Sequence, residues 1–195
     1  MLRDGGDVAF VLEGAEVDNS RSGEYNGNAE EKEFTEYRSV LEDKLPRTYE
    51  EFSQQKHADP ERWKYVSIDY ARRMELRNHP ETILPNAKNA TAPDMKFLGY
   101  LFNPDRPKGW TKGKLFSERL GYSSENWWLL QAEILQNAGQ YPAEYKESSV
   151  YGDKYEQKMI LYGVNDNPTN VIVGWICRPD GTVSLTSAYI KEVKK

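Results

Sequence analysis

The side chains able to do chemistry are few in this sequence, and the scarcity is itself informative. There are two histidines, His57 and His79, and one cysteine, Cys177. That supply excludes an internal disulfide framework, a cysteine zinc site and a histidine-rich metal centre. Cys177 has no clear local base and reads as a small buried hydrophobe rather than a nucleophile. Glu144, Glu147 and Glu156 lack metal-ligand spacing, and KGWTKGKL misses the required first glycine and the Ser/Thr of a phosphate-binding loop. What remains is a set of cations, phenols and hydroxyls: Lys112, Lys114 and Lys154, then Tyr151, Tyr155 and Tyr189, then Thr186 and Ser187. Lysines stabilise phosphate charge, phenols position groups or carry protons, and hydroxyls hydrogen-bond to phosphate oxygens. Such a set suits an anionic substrate handled without a metal, and no cofactor is expected. Each member also has a plainer reading. Lys112 and Lys114 are equally ordinary exposed helix lysines, Ser187 and Tyr189 a polar strand face, and Trp175, inside VIVGWIC, a core aromatic before a ligand contact.

These groups must be held by the elements of residues 86–195. The period changes near Gly139. Before it, TKGKLFSERLGY spaces Leu115, Phe116 and Leu120 as a helix closed by Gly121 in the left-handed region. SENWWLLQAEILQNA follows as a second helix capped by Ser123 or Ser124, with Trp127, Leu130, Ile134 and Leu135 as its buried stripe. After it, KYEQKMILYG, NVIVGWICRP and TVSLTSAYIKEV alternate with period two between the turn signals NDNP and RPDG. Strand alternation then sets Thr186 and Ala188 on one face, and Ser187 and Tyr189 on the other. Leu98, Tyr100 and Phe102 read as an extended lead-in. The predicted fold is α+β, with helices packed on one face of an antiparallel sheet of three or four strands.

Upstream the composition shifts. Residues 1–85 carry 12 Lys/Arg against 19 Asp/Glu, whereas residues 86–195 carry 14 against 12. The first 43 residues hold 12 acidic and 4 basic side chains among Gly, Asn and Ser. Residues 1–45 are therefore expected to be an acidic flexible tail, disordered or weakly helical, unable to offset ordering entropy by burial. Residues 46–85 read as a short helical linker. Thr48-x-x-Glu51 is a capping box, and Asp59 with Pro60 starts a helix bearing Trp63, Val66, Tyr70 and Met74. The mean hydropathy is -0.83, and no run approaches eighteen apolar residues, so no transmembrane helix is expected. The opening is too acidic for a secretory signal, which points to a cytoplasmic protein or one delivered into a target cell, with no membrane partner.

The run PNAKNATAPDMKFLGYLFNPDRPKGWTKGKLFSERLGYSSENW resembles the opening of a widespread uncharacterised bacterial domain family. In that family a lead-in ending in YLL(N/D)P precedes GxxKAxxFxxxLGY. The later residues Tyr151-Gly152-Asp153-Lys154-Tyr155, Gly163, Val171, Trp175-Ile176 and Leu185-Thr186-Ser187-Ala188-Tyr189 resemble its second half. Two positions depart from the pattern. Its K-A pair is Lys112-Gly113 here, and its terminal T-A-Y is Ser187-Ala188-Tyr189. Serine keeps the hydroxyl, and a helical glycine costs about 1 kcal/mol against alanine while leaving the lysine.

The resemblance implies a domain of the kind found at the C-termini of phage head-morphogenesis proteins and polymorphic toxins, similar in layout to the barnase, EndoU, colicin and RelE group. It implies a metal-independent, toxin-type ribonuclease at the end of a phage or delivery protein. Lys112, Tyr151, Lys154, Ser187 and Tyr189 would be catalytic, and Lys114, Thr186 and Trp175 would contact substrate. RNA and a cognate immunity protein or phage head proteins would be the partners. The alternative is a non-catalytic binding or assembly module of a phage-related minor head protein. Convergence of Lys112, Lys154, Ser187 and Tyr189 on a basic concave face favours the first; scattered positions and an exposed apolar patch favour the second.

Overall fold

The computed structural model describes residues 29–194, which divide into two compact units between Ala58 and Asp59. In the first unit, residues 29–41 form a helix, α1, and Tyr49–Ala58 form α2. Of the segment expected to be a flexible tail, residues 1–28 lie outside the described residues, and 29–41 are helical instead. The reason is an apolar stripe diluted by acids: Phe34, Tyr37 and Leu41 recur at helical spacing, and Tyr37 and Leu41 are buried. The Phe34 and Phe52 rings lie 5.0 Å apart, and Tyr37 meets Phe52 edge-on at 6.4 Å. The acids have partners as well. Glu30 accepts hydrogen bonds from Tyr49 Oη (2.9 Å) and Ser53 Oγ (3.0 Å), and Lys56 pairs with Glu33. Thr48 caps α2 through the Glu51 N–H, at 3.3 Å.

The second unit holds α3 (Pro60–Asn78), α4 (Pro107–Leu120), α5 (Trp127–Asn137) and five strands. The strands are β1 (Ala90–Thr91), β2 (Ala143–Ser149), β3 (Gly152–Leu161), β4 (Thr169–Cys177) and β5 (Val183–Ile190). Their order is β1-β5-β4-β3-β2, antiparallel throughout except for the short parallel β1–β5 pair. The protein is thus α+β. Alternation along the paired strands sends Met159, Val171, Val173, Trp175, Leu185 and Ala188 to one face. There they form the core with Phe116 and Leu120 of α4 and Leu130 and Ile134 of α5. Trp127 and Leu135 are only partly buried at its margin. Gly121 ends α4 at φ 77°, as its position in the sequence requires.

The helix pair expected as one linking element is divided, since α2 belongs to the first unit and α3 to the second. Asp59 caps α3 through the Arg62 N–H at 3.0 Å. Its buried positions are Trp63, Val66 and Asp69, so a carboxylate takes the place expected for Tyr70 in the stripe. Asp69 is fully buried and accepts from Tyr141 Oη (2.5 Å), Tyr162 Oη (2.8 Å) and Arg73 Nε (2.8 Å). Burial first, then the Asp69 charge, pushes both phenols well above their ordinary range, which keeps them as donors. Arg72 donates to Asn170 Oδ1 at 2.7 Å. Asn170 pairs with Ile160 in the ladder and faces away from the α4–α5 core, so α3 is pinned to the second face of the sheet. Buried polar groups satisfied in this way fix one arrangement of the helix.

Candidate functional site

The site is built where α4 runs beside β5. Residues Phe97–Leu101, expected to be extended, instead form one π-helical turn, with Phe97 and Leu101 both buried. The backbone of α4 approaches this turn closely at Gly109 and Gly113. A Cβ at either position would overlap the carbonyl oxygens of Tyr100 and Leu101. Gly109 and Gly113 together let α4 seat on the turn, and Lys112 beside Gly113 is carried to the Tyr100 ring. The Lys112 ammonium lies 5.7 Å from the Tyr100 ring centroid and 5.5 Å from that of Tyr189 on β5. Both distances lie within the range of cation–π attraction. Among the described residues Lys112 has no carboxylate partner.

The neighbouring hydroxyls are placed by a β-bulge. Gly174 pairs with Ser187 and Trp175 with Leu185, leaving Thr186 as an extra residue in β5. An inserted residue breaks the alternation, so Thr186 joins Ser187 on the second face rather than siding with Ala188. The position a Cβ would take on Gly174 lies 2.7 Å from Ser187 Oγ and 2.8 Å from Thr186 Oγ1. Two hydroxyls thus flank bare glycine backbone. Neither has a hydrogen-bond partner among the described residues, and Thr186 is exposed while Ser187 and Tyr189 are half-buried.

Three of the five expected catalytic residues share this ledge: Lys112, Ser187 and Tyr189. The other two do not. Lys154 pairs with Ile176 in the ladder while Tyr189 pairs with Ile172, a separation of about 13 Å along β4. Its ammonium is held 2.7 Å from Glu147 across the β2–β3 hairpin. Tyr151 sits in the turn of that hairpin, 73% exposed, and Gly152 after it abuts the Cys177 backbone at the far end of β4. Among the expected substrate contacts, Thr186 joins the ledge. Lys114 lies two residues from Lys112 on α4, on a different side of the helix, 5.8 Å from the Trp110 ring. Trp175 is wholly buried, and its indole donates to Gln157 Oε1 at 2.8 Å, so it is a core residue out of reach of any ligand. Burial first, then Asp153, pushes the Cys177 thiol up, against nucleophile chemistry.

Sequence reading missed Tyr100 and Gly174. An isolated glycine inside a strand pattern is a recognised sign of a bulge or of close approach, and VIVGWIC carried it. Nothing local marked Tyr100. Among the described residues no three His, Cys, Asp or Glu side chains are grouped so as to hold a metal ion, and no helix is long and apolar enough to cross a membrane.

Residues 83–192 match the family model described as a domain of unknown function, DUF6883. The chain belongs to that family. The matched span takes in the motif run from Asn86 to Tyr189 and leaves α3 outside, although α3 is pinned to the same sheet. None of the curated proteins compared matches the chain. Among solved structures, the chain is similar to one from a contact-dependent growth inhibition toxin–immunity protein complex from Klebsiella pneumoniae 342. That likeness has a TM-score of 0.45 and 15% identity, over 55% of this chain and 97% of the other.

Proposed function

We propose that residues 83–192 act as a toxin-type ribonuclease that works without a metal, centred on Lys112, Tyr189, Ser187 and Thr186. The observation that carries this reading is the unpaired Lys112 ammonium between two phenol rings, beside two hydroxyls with no partner of their own among the described residues. Cleavage of a phosphodiester through the 2′-hydroxyl builds negative charge on the phosphorane oxygens. Lys112 is the cation placed to offset that charge, and Thr186 and Ser187 donate hydrogen bonds to the same oxygens. Tyr189 is the phenol available to pass a proton. The 2′-hydroxyl loses its proton as its oxygen bonds to phosphorus, and the 5′-oxygen gains one as its bond to phosphorus breaks, leaving a 2′,3′-cyclic phosphate and a 5′-hydroxyl. The half-buried setting of Lys112, Ser187 and Tyr189 strengthens their interactions relative to open water.

The test is cleavage of total RNA by the whole chain, with and without EDTA. Lys112→Ala and Tyr189→Phe should each slow cleavage by about 10²–10³ with the fold intact by circular dichroism, and EDTA should leave the rate unchanged. Loss of activity with EDTA, or indifference to both substitutions, would overturn the assignment. A second reading, a non-catalytic binding or assembly module of a phage-related particle, is favoured by one observation. Met95, Leu98 and Trp128 are exposed near the Phe97–Trp127 ring contact. Failure of the whole chain to cut any RNA would move the reading there.

A further inference from the structure

A cleft of about 430 Å³ opens beside the ledge, between the start of α3, the end of α4 and the chain that follows β5. Its cations are Arg62, Lys64, Arg119, Lys191 and Lys194. Its acids are already engaged. Asp59 caps α3, Glu61 lies 3.7 Å from Lys64, and Glu192 lies 2.7 Å from Arg119. Arg62 is held by Asp166 at 3.1 Å. That leaves Lys191 and Lys194, both exposed, with no carboxylate partner among the described residues.

Lys191 is set on a rigid base. Its N–H donates to the Asn170 carbonyl at 3.1 Å, and Asn170 Nδ2 donates to the Lys191 carbonyl at 2.7 Å. Asn170 is 4% exposed and is itself held by Arg72. The backbone at Lys191 is thus clamped, and its amine is left for a ligand. The cleft also continues the ledge in both directions that matter. Lys191 follows Tyr189 by two residues, about 7 Å along extended chain. Arg119 follows Lys112 by two helical turns, on the same side of α4 and about 10 Å away. Arg119 is already paired with Glu192, so the free charge that continues the ledge is that of Lys191 and Lys194, in succession along the chain that follows β5. A ligand with phosphates repeated along a flexible chain matches that spacing, whereas one phosphate group would use a single end of it.

We propose that this cleft is a second phosphate subsite, which holds the backbone of single-stranded RNA beyond the nucleotide seated at Lys112. The proposal rests on the ribonuclease reading. Backbone contacts of this kind add affinity without sequence preference, and each gives a salt dependence of its own. The experiment is fluorescence anisotropy of the whole chain with labelled oligouridylates of two and of eight nucleotides, across a salt series. Lys191→Glu combined with Lys194→Glu should weaken the eight-nucleotide probe by about 10-fold or more. It should also flatten the salt slope by about 0.7 for each phosphate that the cleft ceases to hold. Binding of the two-nucleotide probe should change less than about twofold, since that probe ends at the ledge. Lys88→Glu, a charge reversal outside the cleft, should leave both probes unchanged. Equal weakening for the two lengths, or none for either, would overturn the subsite while leaving the ribonuclease reading standing. A wild-type chain that binds neither probe would overturn both.

Discussion

Two lysines that look alike in the sequence, Lys112 and Lys154, sit in opposite surroundings. Lys154 projects from an antiparallel hairpin whose exposed face carries acids at the facing positions, and it is neutralised by Glu147 at 2.7 Å. Lys146 on the same hairpin is shared between Glu144 at 3.0 Å and Glu156 at 3.6 Å. Among the described residues Lys112 meets the rings of Tyr100 and Tyr189 and no carboxylate. An aromatic face attracts a cation without cancelling its charge, while a carboxylate cancels it. Lys154 and Lys146 are therefore satisfied surface charges, while no carboxylate among the described residues offsets the charge of Lys112. The difference lies in the partners that the fold supplies, since the residue type is the same.

The sharpest way to break this comparison is to truncate the two lysines in parallel. Lys112→Ala should lower the RNA cleavage rate by about 10²–10³, and Lys154→Ala by less than about threefold, in single-turnover assays. Equal effects would show that the hairpin belongs to the site after all. A smaller effect should come from the platform under Lys112. Gly113→Ala forces a methyl against the Leu101 carbonyl oxygen and should destabilise the unit by about 1–3 kcal/mol in urea unfolding. Gly139→Ala, where a Cβ would meet only Ala87 at 3.7 Å, is the matched control and should stay within about 0.5 kcal/mol. Unchanged stability in Gly113→Ala would mean that α4 does not depend on this approach.

Freeing Lys154 sharpens the comparison from the other side. Glu147→Gln should leave the unfolding midpoint essentially unchanged, because the pair is exposed, and should raise RNA affinity at low salt only slightly. A gain as large as the effect of Lys112→Ala would show that any unpaired lysine serves. The smallest expected effect is a titration. The hydrogen bond from Lys154, then its charge, holds the Glu147 carboxyl below the usual carboxylate range. A depressed folded value means that the ion pair is intact above that range and is lost as the pH falls through it. Carboxyl chemical shifts followed by NMR should show Glu147 protonating at lower pH than a model glutamate, and Lys154→Ala should return it to the ordinary range.

Much of this protein was legible in the sequence. Asp59-Pro60 marks the start of α3, Gly121 the end of α4, and period two marks β3, β4 and β5, because caps and alternation are decided by neighbours a few residues apart. The poverty of histidine and cysteine likewise limits the chemistry before any fold is known. Other features depended on packing between residues distant in the chain. Helix 29–41 exists because Phe52 covers its apolar stripe, and α3 lies on the sheet because Tyr141 and Tyr162 reach Asp69. The bulge that turns Thr186 toward Ser187 lies where β5 pairs with Gly174, and the two glycines of α4 let that helix approach the π-turn at Tyr100. The sequence by itself determined the elements and the kinds of side chain on offer. Only the tertiary structure decided which lysine keeps its charge, because ladder register and helix seating choose partners that no local pattern specifies.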